Sequence, residues 1–309
     1  MADILITEFM DEASVDALRA SFSVDYDPGL ADAQADIPAR LVGCKAIIVR
    51  NRTQVTEGLL AAGPNLTCVG RLGVGLDNID QSACAAAGVT VYPALGANNL
   101  SVAEYVLTTA LVLLRGAYRA KHSMLAGRWP RQALSGREVS GTTLGLIGYG
   151  SIARDTAKLA RAFGCEIIAF DPMLPADNPL WEGARSVDLD ALLKSADIVS
   201  LHVPLTPETK HLINTQAIDL MKPDAILINA ARGGVVDEDA LAAAMHNGKL
   251  GGAALDVFEN EPLGQDDAAK FKGLEDLILT PHIAGVTDES NTRVSAMIAD
   301  KVSEHLNAN

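Results

Sequence analysis

The regular alternation of short, wholly apolar runs with longer amphipathic stretches is the feature that most restricts how this chain can fold. A short run rich in Ile, Val and Leu is typical of a strand that is buried on both faces. An amphipathic stretch between two such runs is typical of the helix that connects parallel strands. The sequence therefore predicts an α/β fold in which helices cover both faces of parallel sheets.

Two series of predicted strands lie on either side of a long helical run. The first series comprises residues 4–7, 46–49, 67–69 and 89–92. The helical run covers residues 101–114, and Ser101 with Glu104 three positions later matches the capping box of a helix start. The second series comprises residues 143–147, 166–170, 198–201, 225–228, 252–255 and 277–279, and a last helical stretch covers residues 288–306. This order predicts two doubly wound, Rossmann-like domains with parallel sheets.

The length of 309 residues also favours two domains, because it exceeds what a single hydrophobic core usually serves. The chain enters the second strand series near Asn98 and leaves it near Gly285. We therefore predict one discontinuous domain built from residues 1–97 and 286–309. A second, continuous domain is expected to comprise residues 98–285.

The charge balance argues against a nucleic-acid partner. The chain has 25 Lys and Arg residues against 39 Asp and Glu residues, which gives a formal net charge of −14. Such a chain repels a phosphate backbone unless positive charge is concentrated locally. No apolar run approaches the ~20 residues needed to cross a bilayer, and the first residues lack the basic region of a secretory signal. We expect a cytoplasmic protein that binds neither membranes nor nucleic acid.

The four cysteines show neither a CxxC motif nor a Cys/His spacing typical of metal ligands. They are Cys44, Cys68, Cys84 and Cys165, and each lies in or beside an apolar run. We interpret them as buried thiols rather than as disulfides or metal ligands. The sequence predicts no metal site.

A glycine-rich turn after the first strand of the second series has the pattern of a dinucleotide-binding loop. Gly148 suits a tight turn, Gly150 allows the backbone to approach a pyrophosphate, and the small Ala153 permits close packing of helix against strand. The helix that follows would present the N–H groups of Ser151 and Ile152 and the positive end of its dipole to the anion. The pattern predicts a bound dinucleotide.

Asp171 lies at the end of the next predicted strand, 21 residues after Gly150. A carboxylate in this position typically accepts a hydrogen bond from the ribose 2′-OH. Because a carboxylate repels a 2′-phosphate, we expect the cofactor to be NAD rather than NADP. The alternative is that Asp171 only forms the turn before Pro172.

Three turns that follow predicted strands of the second series carry reactive side chains. They are NAARGG at 229–234, DVFENEP at 256–262 and TPHIAG at 280–285. Because open α/β sheets bind ligands outside the carboxyl ends of their strands, these turns should share one crevice with the nucleotide. Taken singly, Arg232 could bind a surface carboxylate, Glu261 could cap a loop, and His282 could be a hydrogen-bonded loop histidine.

Together with segments of the first half, these turns resemble the D-isomer-specific 2-hydroxyacid dehydrogenase family, especially its 3-phosphoglycerate dehydrogenase-like branch. The resemblance runs from about residue 45 to 286 and includes RLGVGLDNID at 71–80, NNLSVAE at 98–104, the Gly148 loop and SLHVPLTP at 200–207. Ala153 stands where the family usually has a third glycine. A chain ending at residue 309 also leads us to expect no C-terminal regulatory domain.

The resemblance implies that residues 98–285 bind NAD and that residues 1–97 with 286–309 bind the substrate. It also implies a catalytic set of three side chains. His282 would exchange the hydroxyl proton, because an imidazole serves both reaction directions near neutrality. Glu261 would stabilise the imidazolium and fix its tautomer. Arg232 would offer its planar donor fork to the α-carboxylate and carbonyl oxygen of the substrate.

Further ligand contacts are implied by the same resemblance. Backbone N–H groups in the loop of Gly73, Val74 and Gly75 would bind the substrate carboxylate, with glycines allowing close approach. Asn98 would be another substrate contact. The cofactor would be contacted by Ala230 and by Asp256, which would orient the nicotinamide carboxamide.

Two aromatic residues stay open between function and packing. His202 ends a predicted strand near the nucleotide, but the family pattern gives it no acid/base role, so structural or cofactor packing is favoured. Trp129 either lines the pocket or packs within a long connecting segment. The resemblance also implies a homodimer built on the nucleotide-binding domains, with residues 115–141 at the interface.

The turn that begins after the strand at 46–49 places Arg50 and Arg52 close together in an acidic protein. If this turn faces the crevice, as the family pattern suggests, it offers a second anion site in addition to Arg232. The alternative is an ion-paired surface turn. The expected substrate is therefore a D-configured 2-hydroxy acid with a second anionic group, such as 3-phosphoglycerate or 3-sulfolactate. Glycerate, hydroxypyruvate and glyoxylate remain open.

Two other classes of function compete with this prediction. An NAD-sensing interaction protein could keep the fold and act only by binding partners, but the intact set of Arg232, Glu261 and His282 argues against it. An amino-acid dehydrogenase lacks a candidate lysine beside the cofactor turns. We therefore expect an NAD-dependent 2-hydroxyacid dehydrogenase.

Overall fold

The computed structural model describes residues 2–175, 177–181 and 183–308, and it contains a five-stranded and a seven-stranded β-sheet. Every strand pairing in this part of the chain is parallel. The predicted α/β class with two Rossmann-like sheets is confirmed. The chain divides into two compact units, one of Met1–Asn98 with Val286–Asn309 and one of Asn99–Gly285.

The first unit contains the five-stranded sheet, with the strand order β2-β1-β3-β4-β5. Its strands are β1 (Ile4–Ile6), β2 (Val24–Tyr26), β3 (Ala46–Val49), β4 (Cys68–Arg71) and β5 (Thr90–Pro93). Its helices are α1 (Glu12–Arg19), α2 (Ile37–Leu41), α3 (Glu57–Ala62), α4 (Gln81–Ala86) and α12 (Asp288–Ala308), with a 3₁₀ helix at Leu30–Asp36. The strands β1 and β3 are wholly buried, which explains why they are continuous apolar runs.

The C-terminal helix α12 packs on the sheet of the first unit. Its residues Val294, Ile298 and Val302 are buried in the same core as Ile4. Gly70 in β4 permits this approach, because a Cβ there would lie 2.6 Å from the Ile298 side chain. The discontinuous sequence of this unit thus follows from one helix that completes the core at the far end of the chain.

The second unit contains the seven-stranded sheet, with the order β12-β11-β10-β9-β6-β7-β8. Its strands are β6 (Thr143–Ile147), β7 (Glu166–Phe170), β8 (Arg185–Ser186), β9 (Ile198–Leu201), β10 (Ile226–Asn229), β11 (Gly252–Leu255) and β12 (Leu277–Leu279). Its helices are α5 (Asn99–Arg115), α6 (Lys121–Leu125), α7 (Ser151–Ala162), α8 (Leu189–Ser195), α9 (Thr215–Leu220), α10 (Glu238–His246) and α11 (Gln265–Ala268). Three 3₁₀ helices lie at Ala117–Ala120, Pro179–Trp181 and Ala269–Phe271. The strand order changes direction at β6, and ligands of open α/β sheets bind at such a switch point.

The structure differs from the sequence prediction at the start of α5 and at two short strands. The capping box predicted at Ser101 is wrong, because α5 begins at Asn99 and Ser101 lies inside the helix with 5% exposure. The strands β2 and β8 were not predicted. Both lie at sheet edges, and both are short and carry polar residues, so they lack the apolar run that marks a buried strand.

All four cysteines are buried and free, as the apolar context of each had indicated. No single described helix is long and apolar enough to cross a membrane, and one bent pair, α5 with residues 117–125 at 60°, meets the length and composition criterion. The residues Val106, Ala110 and Leu114 of α5 are buried in the core of the second unit.

Candidate active site

The glycine-rich loop of the second unit connects β6 to α7. Gly148 has a φ of +86°, and a Cβ there would lie 2.5 Å from the backbone oxygen of His202. Glycine is therefore required at this position by both conformation and packing. At Gly150, by contrast, a Cβ would meet no protein atom within 4 Å. The protein's own packing does not explain this second glycine, whereas close approach of a pyrophosphate does.

The N-terminus of α7 is suited to an anion. Gly150 has no side chain to cap the helix, and α7 runs for 12 residues behind it. The N–H groups of Ser151 and Ile152 in the first turn therefore lack intrahelical acceptors and lie at the positive end of the helix dipole. Ala153 is fully buried in the core beneath the loop, which agrees with the predicted need for a small side chain there.

The carboxylate of Asp171 follows β7 and contacts the glycine-rich loop directly. Its Oδ2 accepts a hydrogen bond from the N–H of Tyr149 at 2.9 Å. Its Oδ1 accepts one from the N–H of Met173, also at 2.9 Å, so the turn role that the sequence left open is present as well. Asp171 thus links the ends of the adjacent strands β6 and β7, where the ribose of a dinucleotide is expected.

His282 and Glu261 form a hydrogen-bonded pair in loops that follow β12 and β11. The Nδ1 atom of His282 lies 2.7 Å from Oε2 of Glu261, and both side chains are partly exposed. The other oxygen of Glu261 accepts a hydrogen bond from the N–H of Phe258 at 3.0 Å. The carboxylate is therefore held on one side by its own loop and binds the imidazole on the other.

The electrostatic surroundings keep Glu261 ionised. Burial acts to raise its pKa, but the hydrogen bonds from His282 and from the Phe258 N–H, with the charges of His282 and Arg232, hold the pKa below its usual value. An ionised Glu261 accepts a hydrogen bond from Nδ1–H of His282. This tautomer leaves Nε2 of His282 available for another partner.

The buried carboxylate of Asp256 organises the loop that carries His282. One oxygen accepts hydrogen bonds from the N–H of Ile283 at 2.8 Å and from the hydroxyl of Thr280 at 2.6 Å. The other accepts one from the N–H of Ala284 at 2.7 Å. His282 itself has a φ of +55° and donates its N–H to the backbone oxygen of Asp256 at 2.8 Å. The nicotinamide role of Asp256 stays a prediction.

Sequence reasoning missed Tyr105 and Thr280 as parts of this network. The hydroxyl of Tyr105, on α5, lies 2.6 Å from the hydroxyl of Thr280, which in turn donates to Asp256. Burial raises the pKa of Tyr105 to about 12, and the charge of Asp256 acts in the same direction, so the phenol stays protonated. Thr280 had a weak signal, its place two residues before His282. Tyr105 had none, because its partner is 175 residues away.

Arg232 follows β10 in a turn fixed by Asn229. The Asn229 side chain donates to the backbone oxygen of Arg232 at 2.9 Å and accepts from the N–H of Ala231 at 3.1 Å. The Nη1 of Arg232 donates to the backbone oxygen of Ala231 at 2.6 Å, and its charge acts on Glu261. Ala230 is half-buried in the same turn. Arg232, Glu261 and His282 thus follow three neighbouring strands.

His202 has a structural environment, as favoured from the sequence. Its Nε2 lies 3.0 Å from the hydroxyl of Ser200, and its backbone N–H bonds to Ile147. Burial lowers the pKa of His202 to about 4, so the ring is neutral near neutral pH. A ring that titrates so far below neutrality is poorly matched to proton exchange at physiological pH.

The predicted substrate residues of the first unit follow the carboxyl ends of its strands. Gly73 has a φ of +150°, and a Cβ there would collide with the guanidinium of Arg71. The N–H groups of Val74 and Gly75 donate to no other described residue, so both can bind an anion. The Oδ1 atom of Asn98 is buried and accepts no hydrogen bond from the described residues.

Arg50 and Arg52 differ sharply in their surroundings. Arg52 is half-exposed and forms a salt bridge with Asp32, which matches the ion-paired alternative. Arg50 has no salt bridge with any described carboxylate. Its Nη2 donates to Oδ1 of Asn291 at 2.8 Å, and its guanidinium carbon lies 6.0 Å from the centre of the Phe9 ring. Burial lowers the pKa of Arg50, an effect that the charge of Glu8 opposes.

The described residues contain no group of three His, Cys, Asp or Glu side chains arranged as metal ligands. The second unit contains an imidazole, a carboxylate, a guanidinium and a dinucleotide-binding loop.

A family model with the description "D-isomer specific 2-hydroxyacid dehydrogenase, NAD binding domain" matches residues 107–284. The chain is also 53% identical over 307 residues to the (S)-sulfolactate dehydrogenase of Chromohalobacter salexigens, with 99% of each chain covered. The chain belongs to the D-isomer-specific 2-hydroxyacid dehydrogenase family. Its cofactor is NAD, and its reaction is the oxidoreduction of 2-hydroxy acids.

The chain is also similar to dehydrogenases whose names give other substrates. The D-3-phosphoglycerate dehydrogenase of Synechocystis is 38% identical over 99% of this chain, which spans 54% of that longer protein. The D-lactate dehydrogenase of Aquifex aeolicus, solved with NAD and lactic acid, is 32% identical with a TM-score of 0.83. The superposition covers 99% of this chain and 96% of that one.

The contacts of Asp171 predict how the dehydrogenase selects its cofactor. Asp171→Ala should weaken the binding of NAD, because the ribose 2′-OH loses its hydrogen-bond acceptor. It should also relieve the repulsion between the carboxylate and the 2′-phosphate of NADP. We expect the ratio of kcat/KM for NAD over NADP to fall by about tenfold or more, the size of a hydrogen bond to a charged group.

Asp188→Ala is the matched control, since it removes the N-cap of α8, where Asp188 accepts from the N–H of Ala191 at 2.7 Å. It should lower stability by ~1 kcal/mol without changing the cofactor ratio. A wild type that already prefers NADP would contradict the role of Asp171.

Proposed function

We propose that this dehydrogenase acts on a D-configured 2-hydroxy acid with a second anionic group, and that (S)-3-sulfolactate is its substrate. The main support is the 53% identity to a (S)-sulfolactate dehydrogenase, which extends over 99% of both chains. The phosphoglycerate dehydrogenase of Synechocystis, at 38% identity, supports the same chemical class but a different head group.

The S label of that substrate agrees with a D-specific family. In lactate, the carboxyl group outranks the methyl group at the chiral carbon, and the D form is labelled R. In sulfolactate, the sulfomethyl group outranks the carboxyl group because sulfur has priority over oxygen. The same arrangement in space is therefore labelled S. A site that binds D-lactate-like geometry would accept (S)-sulfolactate without inversion.

The second anionic group is assigned to Arg50. A guanidinium that is partly withdrawn from water usually has a carboxylate partner. Arg50 instead contacts the neutral side chains of Asn291 and Phe9. This leaves its charge available for a sulfonate or phosphate, which accept the donor fork of arginine well. Arg52 has a lesser role in the proposal, because its guanidinium already pairs with Asp32.

The α-carboxylate common to all these substrates is assigned to a different set of donors. The N–H groups of Val74 and Gly75 have no described acceptor, and Asn98 has a buried amide oxygen without a partner. Arg232 offers charged donors for the carboxylate and for the oxygen on the reacting carbon. We thus assign substrate binding mainly to residues 1–97 with 286–309, and NAD binding to residues 98–285.

The hydrogen bond between His282 and Glu261 supports a defined proton path. In hydroxy-acid oxidation, bound NAD would supply the acceptor for the hydride that leaves the substrate carbon. In that direction, Nε2 of His282 takes the hydroxyl proton as the C–O bond becomes a carbonyl, and Glu261 stabilises the imidazolium that forms. In the reverse direction the same nitrogen returns the proton to the carbonyl oxygen. Arg232 draws negative charge onto that oxygen.

One other substrate class and one other function class serve as alternatives. A reductase for glycerate, hydroxypyruvate or glyoxylate would need no distal anion site, so it leaves Arg50 unexplained. An NAD-sensing interaction protein would need no proton path. The geometry of Glu261 and His282 favours an enzyme over an NAD-sensing interaction protein.

The proposed assembly is a homodimer through residues 115–141. This segment exposes large apolar side chains, with Tyr118 at 73%, Leu125 at 78% and Trp129 at 76% exposure. Apolar surface of this kind is typical of an interface. Trp129 does not pack within its own segment, so an interface is the better interpretation. The free thiols fit a reducing compartment, and we propose a cytoplasmic enzyme without nucleic-acid or membrane partners.

The substrate proposal is tested with a panel of four 2-hydroxy acids. These are (S)-sulfolactate, 3-phospho-D-glycerate, D-glycerate and D-lactate. Arg50→Ala should raise KM for the two dianionic acids by about 10- to 150-fold, since a charge-assisted hydrogen bond contributes ~1.5–3 kcal/mol. KM for the two monoanionic acids should change little. Arg232→Ala should impair all four, and no turnover with any acid would favour a binding protein.

The proton path is tested by pH profiles of kcat/KM in the direction of hydroxy-acid oxidation. His282→Ala should lower kcat by at least ~10²-fold while NADH still binds. Glu261→Gln removes the charge that favours the imidazolium, so the acid limb of the profile should move to lower pH. A profile that does not move would show that the pair is not coupled.

The dimer is tested by light scattering at micromolar concentration. The wild-type chain should give about twice the 32.4 kDa mass of one chain. Trp129→Glu should shift the protein to monomer, because it places a charge in the proposed apolar interface. Met173→Glu is the matched control, since Met173 is 88% exposed outside that segment. A wild-type monomer would contradict the proposal.

A further inference from the structure

A single buried carboxylate holds the whole turn that carries Arg50. Glu8 lies two residues after the end of β1 and is 2% exposed. Its Oε1 accepts hydrogen bonds from the N–H groups of Arg50 at 2.8 Å and Thr53 at 3.0 Å. Its Oε2 accepts from those of Arg52 at 3.1 Å and Asn51 at 3.3 Å. Four successive amides thus converge on one side chain.

This arrangement fits an ionised carboxylate, but it fits neither a glutamine amide nor a protonated carboxyl group. An ionised carboxylate has about four lone-pair sites and no donor, which matches four N–H groups. A glutamine or a protonated glutamate would turn a donor toward amide donors and leave some of them unsatisfied. Because the site is buried, water does not readily replace the lost acceptor.

The four hydrogen bonds also decide what the turn can offer a ligand. All its amide N–H groups face inward to Glu8, so only side chains are left to bind an anion. The four hydrogen bonds to Glu8 fix the backbone from which the Arg50 side chain extends. Phe9, which lies against Arg50, is the next residue after Glu8. Asn291 then holds the guanidinium from α12. The direction of the Arg50 side chain therefore depends on Glu8 without any direct contact between the two side chains.

We propose that Glu8 is a positioning residue that sets the selectivity of this dehydrogenase for substrates with a second anionic group. It acts through the backbone of residues 50–53 on Arg50, and it touches neither substrate nor cofactor. The inference rests on the proposed function, in which Arg50 binds the distal anion. An acidic residue thus improves anion binding, because its charge is balanced by four amide N–H groups and by Arg52, whose Nε lies 3.8 Å from Oε2 of Glu8.

The test compares Glu8→Gln with the wild type on (S)-sulfolactate and D-glycerate. We expect KM for (S)-sulfolactate to rise about tenfold, a part of what complete loss of the Arg50 contact would cause, with little change in kcat. KM for D-glycerate should rise much less. Asn291→Ala should also raise KM for (S)-sulfolactate more than KM for D-glycerate, because it releases the Arg50 guanidinium. Equal changes for both acids in the Glu8→Gln variant would overturn the inference.

Two controls separate positioning from a loss of stability. Ser295→Ala removes another hydrogen bond of the same unit, the partly buried one from the N–H of Asp11 to Oγ at 3.0 Å, and should change KM for the two acids to the same extent. Amide exchange in the wild-type chain gives a readout that needs no variant. The N–H groups of residues 50–53 should exchange slowly, and fast exchange would overturn the inference.

Arg50→Ala distinguishes this inference from the proposed function. If Arg50→Ala separates the two acids but Glu8→Gln does not, the positioning role fails and the substrate proposal stands. If Arg50→Ala does not separate them, the substrate proposal itself fails.

Discussion

The hydrogen bonds of the buried Asp256 carboxylate are the interaction on which the geometry around His282 depends. A histidine with a φ of +55° lies in a region that costs about 1–2 kcal/mol for a residue with a side chain. Such a conformation persists only when its surroundings fix it from several directions. Asp256 does so by accepting from the N–H groups of Ile283 and Ala284 and from the Thr280 hydroxyl. In this conformation the Nδ1 atom of the imidazole lies 2.7 Å from Oε2 of Glu261.

The parallel topology explains why functional residues that are distant in sequence all follow the carboxyl ends of strands. In each sheet the functional loops follow the carboxyl ends of strands, because all strands point the same way. In the second unit these loops contain the glycine turn, Asp171, Arg232, Asp256 and His282. In the first unit, Glu8 follows β1 and Arg50 follows β3, its neighbour in the sheet. A buried acid on one strand end can therefore organise the turn on the next.

Residues whose role depends on local sequence could be predicted, and residues whose role depends on a distant partner could not. Gly148 and Asp171 stand at fixed spacings after strands, so a single pattern identifies them. The partner of Tyr105 is 175 residues away, and the amides that Glu8 binds are more than 40 residues away. No periodicity or spacing marks such contacts. The capping box at Ser101 failed for a related reason, because tertiary packing buries that side chain inside α5.

The proposed selectivity for a dianion in a chain of net charge −14 would depend on local pairing rather than on the total charge. At physiological ionic strength, charges more than ~8 Å apart in solvent are largely screened, so the acidic surface has little effect on a shielded site. Several arginines are already paired with carboxylates, namely Arg19, Arg40, Arg52, Arg119 and Arg137. Arg50 is held by an amide and an aromatic ring instead, and the nearby Glu8 binds backbone amides rather than the guanidinium. A fixed guanidinium without an ion pair can bind a sulfonate or phosphate more strongly than an exposed arginine that must first leave its own carboxylate.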